Sequence, residues 1–198
     1  MRFSLLPRRR RGTGPAEVKE PDFGERPQYL QDYISKVSGE LGEPVYMEKL
    51  DSSLKKQRAY NVVYPVGGGV FIHAYSIKGS DTGKYAVIEP PRPSLELMKA
   101  IDVALANVIS GEAPESAEER KRLLLSLLDR ILEPTDSEVD YSSLASDIEL
   151  RRVPVKREWA DYVKYHVIRD KIGVGVLEPF LRTPTLRTYR PAALATYT

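Results

Sequence analysis

Three runs rich in valine, isoleucine, tyrosine and phenylalanine stand close together in the first half of the chain. They are AYNVVYPV at 59–66, GVFIHAYSI at 69–77 and KYAVIEP at 84–90. These residue types suit the pleated, half-buried surface of a strand. Gly67, Gly68 and Gly69 separate the first two runs, and KGSDTG separates the second from the third. Gaps this short suit hairpins and leave no space for the crossover helix of a parallel pair. Two consecutive hairpins, an antiparallel meander, are therefore expected. Pro90, Pro91 and Pro93 end the last strand, because proline has no N–H to give to a ladder.

Helical patterns flank the meander rather than alternate with it. PQYLQDYISKVSGEL places Tyr29, Leu30, Tyr33, Ile34 and Val37 at helical spacing, with Gly42 as the stop. Ser94 is the expected N-cap of a helix striped by Leu97, Met98, Ile101, Leu105, Val108 and Ile109, and Gly111 is its expected close. Ser116 and Glu119 have capping-box spacing. They open a helix carrying Leu123, Leu124, Leu127, Leu128, Ile131 and Leu132 that should end near Pro134. A short helix is expected around Leu144–Leu150. The last starts with Trp159, Tyr162, Val163, His166 and Val167 and runs out at Gly173. A strand cluster with helices and no βαβ alternation predicts an α+β fold, a small antiparallel sheet packed with several helices.

Composition sets limits on function. The 198-residue chain has no cysteine, which excludes a disulfide scaffold and a thiolate metal site and fits a cytoplasmic protein. No run approaches the ~20 apolar residues of a membrane span, and the start MRFSLLPRRRRG lacks the order of a secretory signal. Charge is uneven. Residues 1–30 hold seven basic and four acidic side chains, and 183–198 hold two arginines and no acid. Between them, 31–182 carry 21 basic and 24 acidic residues. Residues 1–27 read as a flexible basic arm, whose Arg8, Arg9, Arg10 and Arg11 are candidates for an anionic membrane surface. The expected division is 28–155 as an α+β domain, 156–182 as a helix and turn leading into a second subdomain, and 183–198 as a disordered tail.

No catalytic constellation is visible in the residues. KGSDTGKY approximates a phosphate-binding loop but is one residue short, has Tyr85 in place of the metal-binding hydroxyl, and leads into a strand. A hairpin turn is the expected reading. His73 and His166 each stand alone, without a second ligand at metal spacing, and are expected to be structural. Glu89 follows a strand directly and has no partner acid or nucleophile nearby, so turn or capping duty is expected of it. No metal or cofactor is called for.

Two segments resemble a known family. YPVGGGVFIHAYSIKGSDTGKYAVIEPPRPSLELMKAIDVAL is similar to a stretch near the front of the archaeal secretion ATPases, with Tyr85, Val87, Ile88, Glu89 and Pro90 carrying the match. YVKYHVIRDKIGVGVLEPFLRTP resembles the segment leading into that family's second N-terminal subdomain. There Tyr165, Arg169, Asp170, Gly173, Gly175, Leu177, Pro179, Leu181 and Pro184 match. Gly173 is the expected left-handed C-cap of the long helix. The family comprises the type II/type IV secretion hexamers of pilus and archaellum assembly. The resemblance implies an N-terminal interaction domain whose partners are a membrane platform protein or other ATPase subunits. ATP and magnesium belong to the family's P-loop core, whose motifs are not in this sequence, so no catalysis is expected of this chain on its own.

The resemblance stops at Thr183–Pro184. Codons can be chosen for residues 185–198 that, read from the third base, spell P-E-D-I-S-A-G-G-V-G-Y-I-Y, which restores the family's expected E-D-I. A truncation by a frame shift near Thr183–Thr185 is the corresponding expectation. Two other readings stand beside it: an independent small adaptor for the secretion machinery, and a nucleic-acid-binding module built on Arg8–Arg11, which the acidic body disfavours.

Overall fold

The computed structural model describes residues 21–49, 59–76, 83–111, 114–173 and 175. The chain opens with helix α1 (Gln28–Leu41), whose first turn is set by Pro27 in an extended conformation. Gly42, at φ 76, ends it by returning its N–H to the Ser38 carbonyl. A four-stranded sheet follows, built from β1 (Val45–Tyr46), β2 (Asn61–Gly67), β3 (Val70–Ser76) and β4 (Gly83–Ile88) in that spatial order.

The meander is present. β2, β3 and β4 pair antiparallel, with His73 opposite Val63 on one side and Ala86 on the other. Alternation gives the sheet two apolar faces. Val63, Phe71 and Ile88 meet Tyr29 and Leu30 of α1 on one face, and Val62, Tyr64, Ile72 and Ala74 form the other. The sheet departs from two plain hairpins at β1, which joins β2 in parallel through Val45↔Val62 and Tyr46↔Val63. Two residues are too few to show a period, so nothing in the sequence marks β1.

A second, aliphatic core lies among α2 (Leu95–Val108), α3 (Ala117–Ile131), a two-stranded parallel sheet of β5 (Leu132–Thr135) and β6 (Val153–Lys156), and α5 (Ala160–Lys171). Ile101, Leu105, Leu128, Ile131, Val153, Val155, Val163 and Val167 are buried in it. Both predicted N-caps are made. The Ser94 hydroxyl accepts from the Leu97 N–H at 3.2 Å, and the Ser116 hydroxyl accepts from the Glu119 N–H at 3.1 Å. The two helix ends differ from expectation. α2 stops at Val108 because Ile109 is already extended, so Gly111 lies in the turn beyond it. α3 passes at Leu132 into β5, and Pro134 sits within that strand rather than after a helix. Pro134 and Pro154 are tolerated because a two-stranded sheet consists only of edges. The short helix α4 (Tyr141–Ala145) starts earlier than predicted, where the Asp140 carboxylate accepts from the Ser142 and Ser143 N–H groups.

Packing crosses two of the expected boundaries. α5 contributes Val163 and Val167 to the aliphatic core, across the expected boundary at 155/156. Within the supposed arm, Phe23 stacks on Tyr162 at 5.9 Å and packs edge-on to Tyr29 and Tyr165. Gly69 makes room for it, since a Cβ there would come within 2.2 Å of the Phe23 ring. Residues 1–20, with Arg8–Arg11, and the tail 183–198 lie outside the described residues, as does the predicted turn at 77–82. Among the described residues no helix is long and apolar enough to cross a membrane.

Candidate functional site

The seam between β4 and α5 brings together residues from two distant segments of the chain. Glu89, just past β4, accepts from the Tyr165 hydroxyl on Oε1 at 2.6 Å and from Arg169 Nη1 on Oε2 at 2.8 Å. Arg169 is buried, and its Nε donates to Asp170 Oδ1 at 2.8 Å. Arg92 stands 3.6 Å from the other Asp170 oxygen at the surface. Burial pulls the Arg169 pKa down. The hydrogen bond to Asp170 and the charges of Glu89 and Asp170 outweigh that pull and hold the guanidinium above its ordinary value. Tyr165 and Arg169 lie four residues apart on one helical face, which is why both reach a single carboxylate.

His166 completes the seam from the neighbouring face of α5. Its Nε2 lies 3.0 Å from the Pro90 carbonyl and 3.2 Å from the Pro91 carbonyl, so Nε2–H is the donor and the ring is held as that tautomer. These are the carbonyls of the proline run, where no strand continues to use them. Nδ1 is buried without a partner among the described residues. Burial pushes the His166 pKa down, and nearby Arg169 adds to the effect.

His73 occupies a separate buried site on the α1 face of the sheet. Asn61 donates its amide to the Leu41 and Gly42 carbonyls, which fixes its oxygen toward His73 Nε2 at 2.6 Å. His73 therefore donates from Nε2 and accepts the Tyr33 hydroxyl at Nδ1, 2.8 Å away. Tyr75 stacks on the ring at 4.7 Å. Burial lowers the His73 pKa to about 4. Both imidazole nitrogens are committed to side chains that join α1 to the sheet.

The structure thus brings together Glu89, Pro90, Tyr165, Arg169 and Asp170. Ile88 packs with Phe71 in the α1-facing core, and Tyr85 lies against the opposite sheet face. Turn or capping duty does not describe Glu89, because both its oxygens hold α5. The Gly173 N–H reaches back to the Ile168 carbonyl, and Gly175, at φ 62, is in the left-handed region. Leu177, Pro179 and Leu181 lie outside the described residues. The phosphate-loop alternative fails at Gly83 and Lys84, which are paired in β4 opposite Ser76 and Tyr75. A Cβ on Gly83 would meet the Tyr60 hydroxyl at 2.0 Å, which explains the glycine without a ligand. Phe23, Asn61 and Arg92 were not singled out in the sequence, and Tyr33 stood there only as part of a helical stripe. Each acts on a partner far away along the chain, and no local pattern carries that information. Among the described residues no group of three or more metal-binding side chains occurs.

No family model matches the chain. The uncharacterized protein MJ0900 of Methanocaldococcus jannaschii is 30% identical over 178 residues, covering 86% of this chain and 32% of that protein. The chain therefore spans about a third of the length of the curated relative it matches.

Proposed function

We propose that the chain is the non-catalytic N-terminal interaction domain of an archaeal type II/type IV secretion ATPase. It would act in the cytoplasm, peripherally at the inner face of the membrane, against the membrane platform or neighbouring ATPase subunits. One observation supports this above the others. The two stretches that resemble the family lie some 76 to 80 residues apart and converge on one carboxylate, Glu89, through Tyr165 and Arg169. Residues matching a motif for the sake of architecture should meet in this way. A committed ion pair with a hydroxyl contact offers no free base, nucleophile or metal ligand. The relative from an archaeon, about three times as long as the matched span, leaves space for a catalytic domain elsewhere in such a protein.

On this reading ATP and magnesium are handled by a P-loop domain of the whole motor, and this domain positions it. The test is binding of the purified chain to the cytoplasmic part of the platform protein from the same organism. Saturable binding is expected, and its absence overturns the reading. The nucleotide sequence beyond codon 182 then separates a motor fragment, with a P-loop encoded downstream, from an independent adaptor with none. Salt-sensitive DNA binding that disappears with residues 1–12 would instead establish the nucleic-acid module.

A further inference from the structure

We infer that the groove between α1 and the edge strand β1 is a docking site for an extended peptide segment of a partner protein. That segment would add to β1 as a strand and place an acidic residue opposite Arg26. The inference stands on the geometry of the groove and does not depend on the secretion-motor reading.

The first observation concerns the backbone. Among the described residues β1 is the outermost strand, with β2 on one side only. The Met47 N–H donates to the Val63 carbonyl at 2.8 Å. In a parallel ladder alternate residues face the neighbouring strand, so the N–H and C=O of Tyr46 point the other way, out of the sheet. They have no partner among the described residues. An open edge of this kind is a template for another strand.

The second observation concerns the space beside that edge. A cavity of about 590 Å³ opens between β1 and α1. Leu30, Ile34, Pro44 and Tyr46 give it apolar lining, Gln31 and Ser35 add polar groups, and the exposed Arg26 and Glu43 complete it. Strand addition needs this combination: free backbone groups for affinity, and pockets for alternate side chains for selectivity. A helical ligand would leave the Tyr46 groups unpaired. A second copy pairing through β1 would gain only two residues on each side, because β1 itself ends at Tyr46. A longer extended segment can continue along α1.

The third observation concerns charge. The Arg26 guanidinium lies 4.5 Å above the Tyr46 ring, and its backbone carbonyl is held by the Gln31 side chain at 3.0 Å. Arg26 is therefore placed, yet it has no carboxylate partner among the described residues. Glu43 likewise has no cation there. An occupant with an acid toward Arg26 and a base toward Glu43 complements both, which sets its direction in the groove.

Short random peptides displayed on phage and selected on the intact chain test the proposal, with the best binder synthesised for ¹⁵N NMR. Expected winners alternate β-branched or aromatic residues and carry Asp or Glu at one position. The bound peptide should shift the Tyr46 amide and slow its hydrogen exchange. Arg26→Glu, at an exposed position, should weaken the acidic peptide by about tenfold or more. Selection repeated on that variant should replace the acid with Lys or Arg. A peptide N-methylated at the residue facing Tyr46 should lose binding. No enrichment, shifts confined to amides elsewhere, or undiminished binding by the N-methylated peptide would each overturn the proposal.

Discussion

The two halves of the molecule are held together by different physics. The aliphatic core of α2, α3, α5 and β5–β6 consists of leucine, isoleucine, valine and alanine, and its contacts have no direction. The sheet side is aromatic and polar. Tyr29, Phe71 and Phe23 pack edge-on, His73 bridges Tyr33 and Asn61, and Glu89 fastens α5 at the seam. α5 belongs to both halves, with Val163 and Val167 on one face and Tyr165 and Arg169 on the other. Burial stabilises the first half roughly in proportion to area, about 1.5–3 kcal/mol for each large apolar side chain. Geometry stabilises the second, where losing one partner strands the other. The first half should therefore tolerate conservative exchange, and the second should respond to single atoms and to pH.

The largest effect is expected in the aliphatic core. Leu128 is fully buried, and Leu128→Ala should cost about 2–5 kcal/mol in urea unfolding, whereas Leu128→Met should cost under about 1.5 kcal/mol. An equally large loss with methionine would mean that this core, too, depends on shape. Arg169→Met should cost about 3 kcal/mol, the low end for a broken buried pair because Glu89 keeps partial contact with water. Combining it with Glu89→Gln should recover part of that loss. Simple addition of the two effects would show that the seam is not a coupled lock.

Acid should separate the halves next. The His73 imidazole binds its proton near 6.5 in the unfolded chain, and burial lowers that to about 4 in the folded one. Between those values the unfolded state holds more protons, so this contribution is complete above about pH 6.5 and is lost as pH falls toward 4. The loss at pH 4 is about 3 kcal/mol. His166, also lowered by burial, acts in the same direction. Unfolding followed by urea from pH 7 to pH 4 should show this limb, and it should be shallower in His73→Gln. An unchanged slope in that variant would remove His73 as a cause. The smallest effect belongs to a helix end. Ser116→Ala should cost about 1 kcal/mol and leave the pH profile unaltered.

Much of this fold was legible where one segment carries its own signal. The β2–β4 meander, both serine caps and the stripes of α2 and α3 follow from residues within a turn or two of each other. Elements held by distant partners were not legible. β1 is a strand because β2 lies beside it, and Pro134 sits in a strand because Val155 stands opposite. The seam was half legible. Glu89, Tyr165, Arg169 and Asp170 were all picked out, but as two separate matches, with Glu89 read as a turn residue.

By itself the sequence determined the class of fold, the order of its main elements and the residues that mark the seam, because periodicity, caps and turn glycines act locally. The tertiary structure alone decided that Glu89 meets Arg169, that Asn61 sets the tautomer of His73, and that Gly69 leaves room for Phe23. Among the described residues it also left the Tyr46 backbone facing the groove beside α1. Each of these depends on two segments arriving at one place, and only the packed chain brings them there.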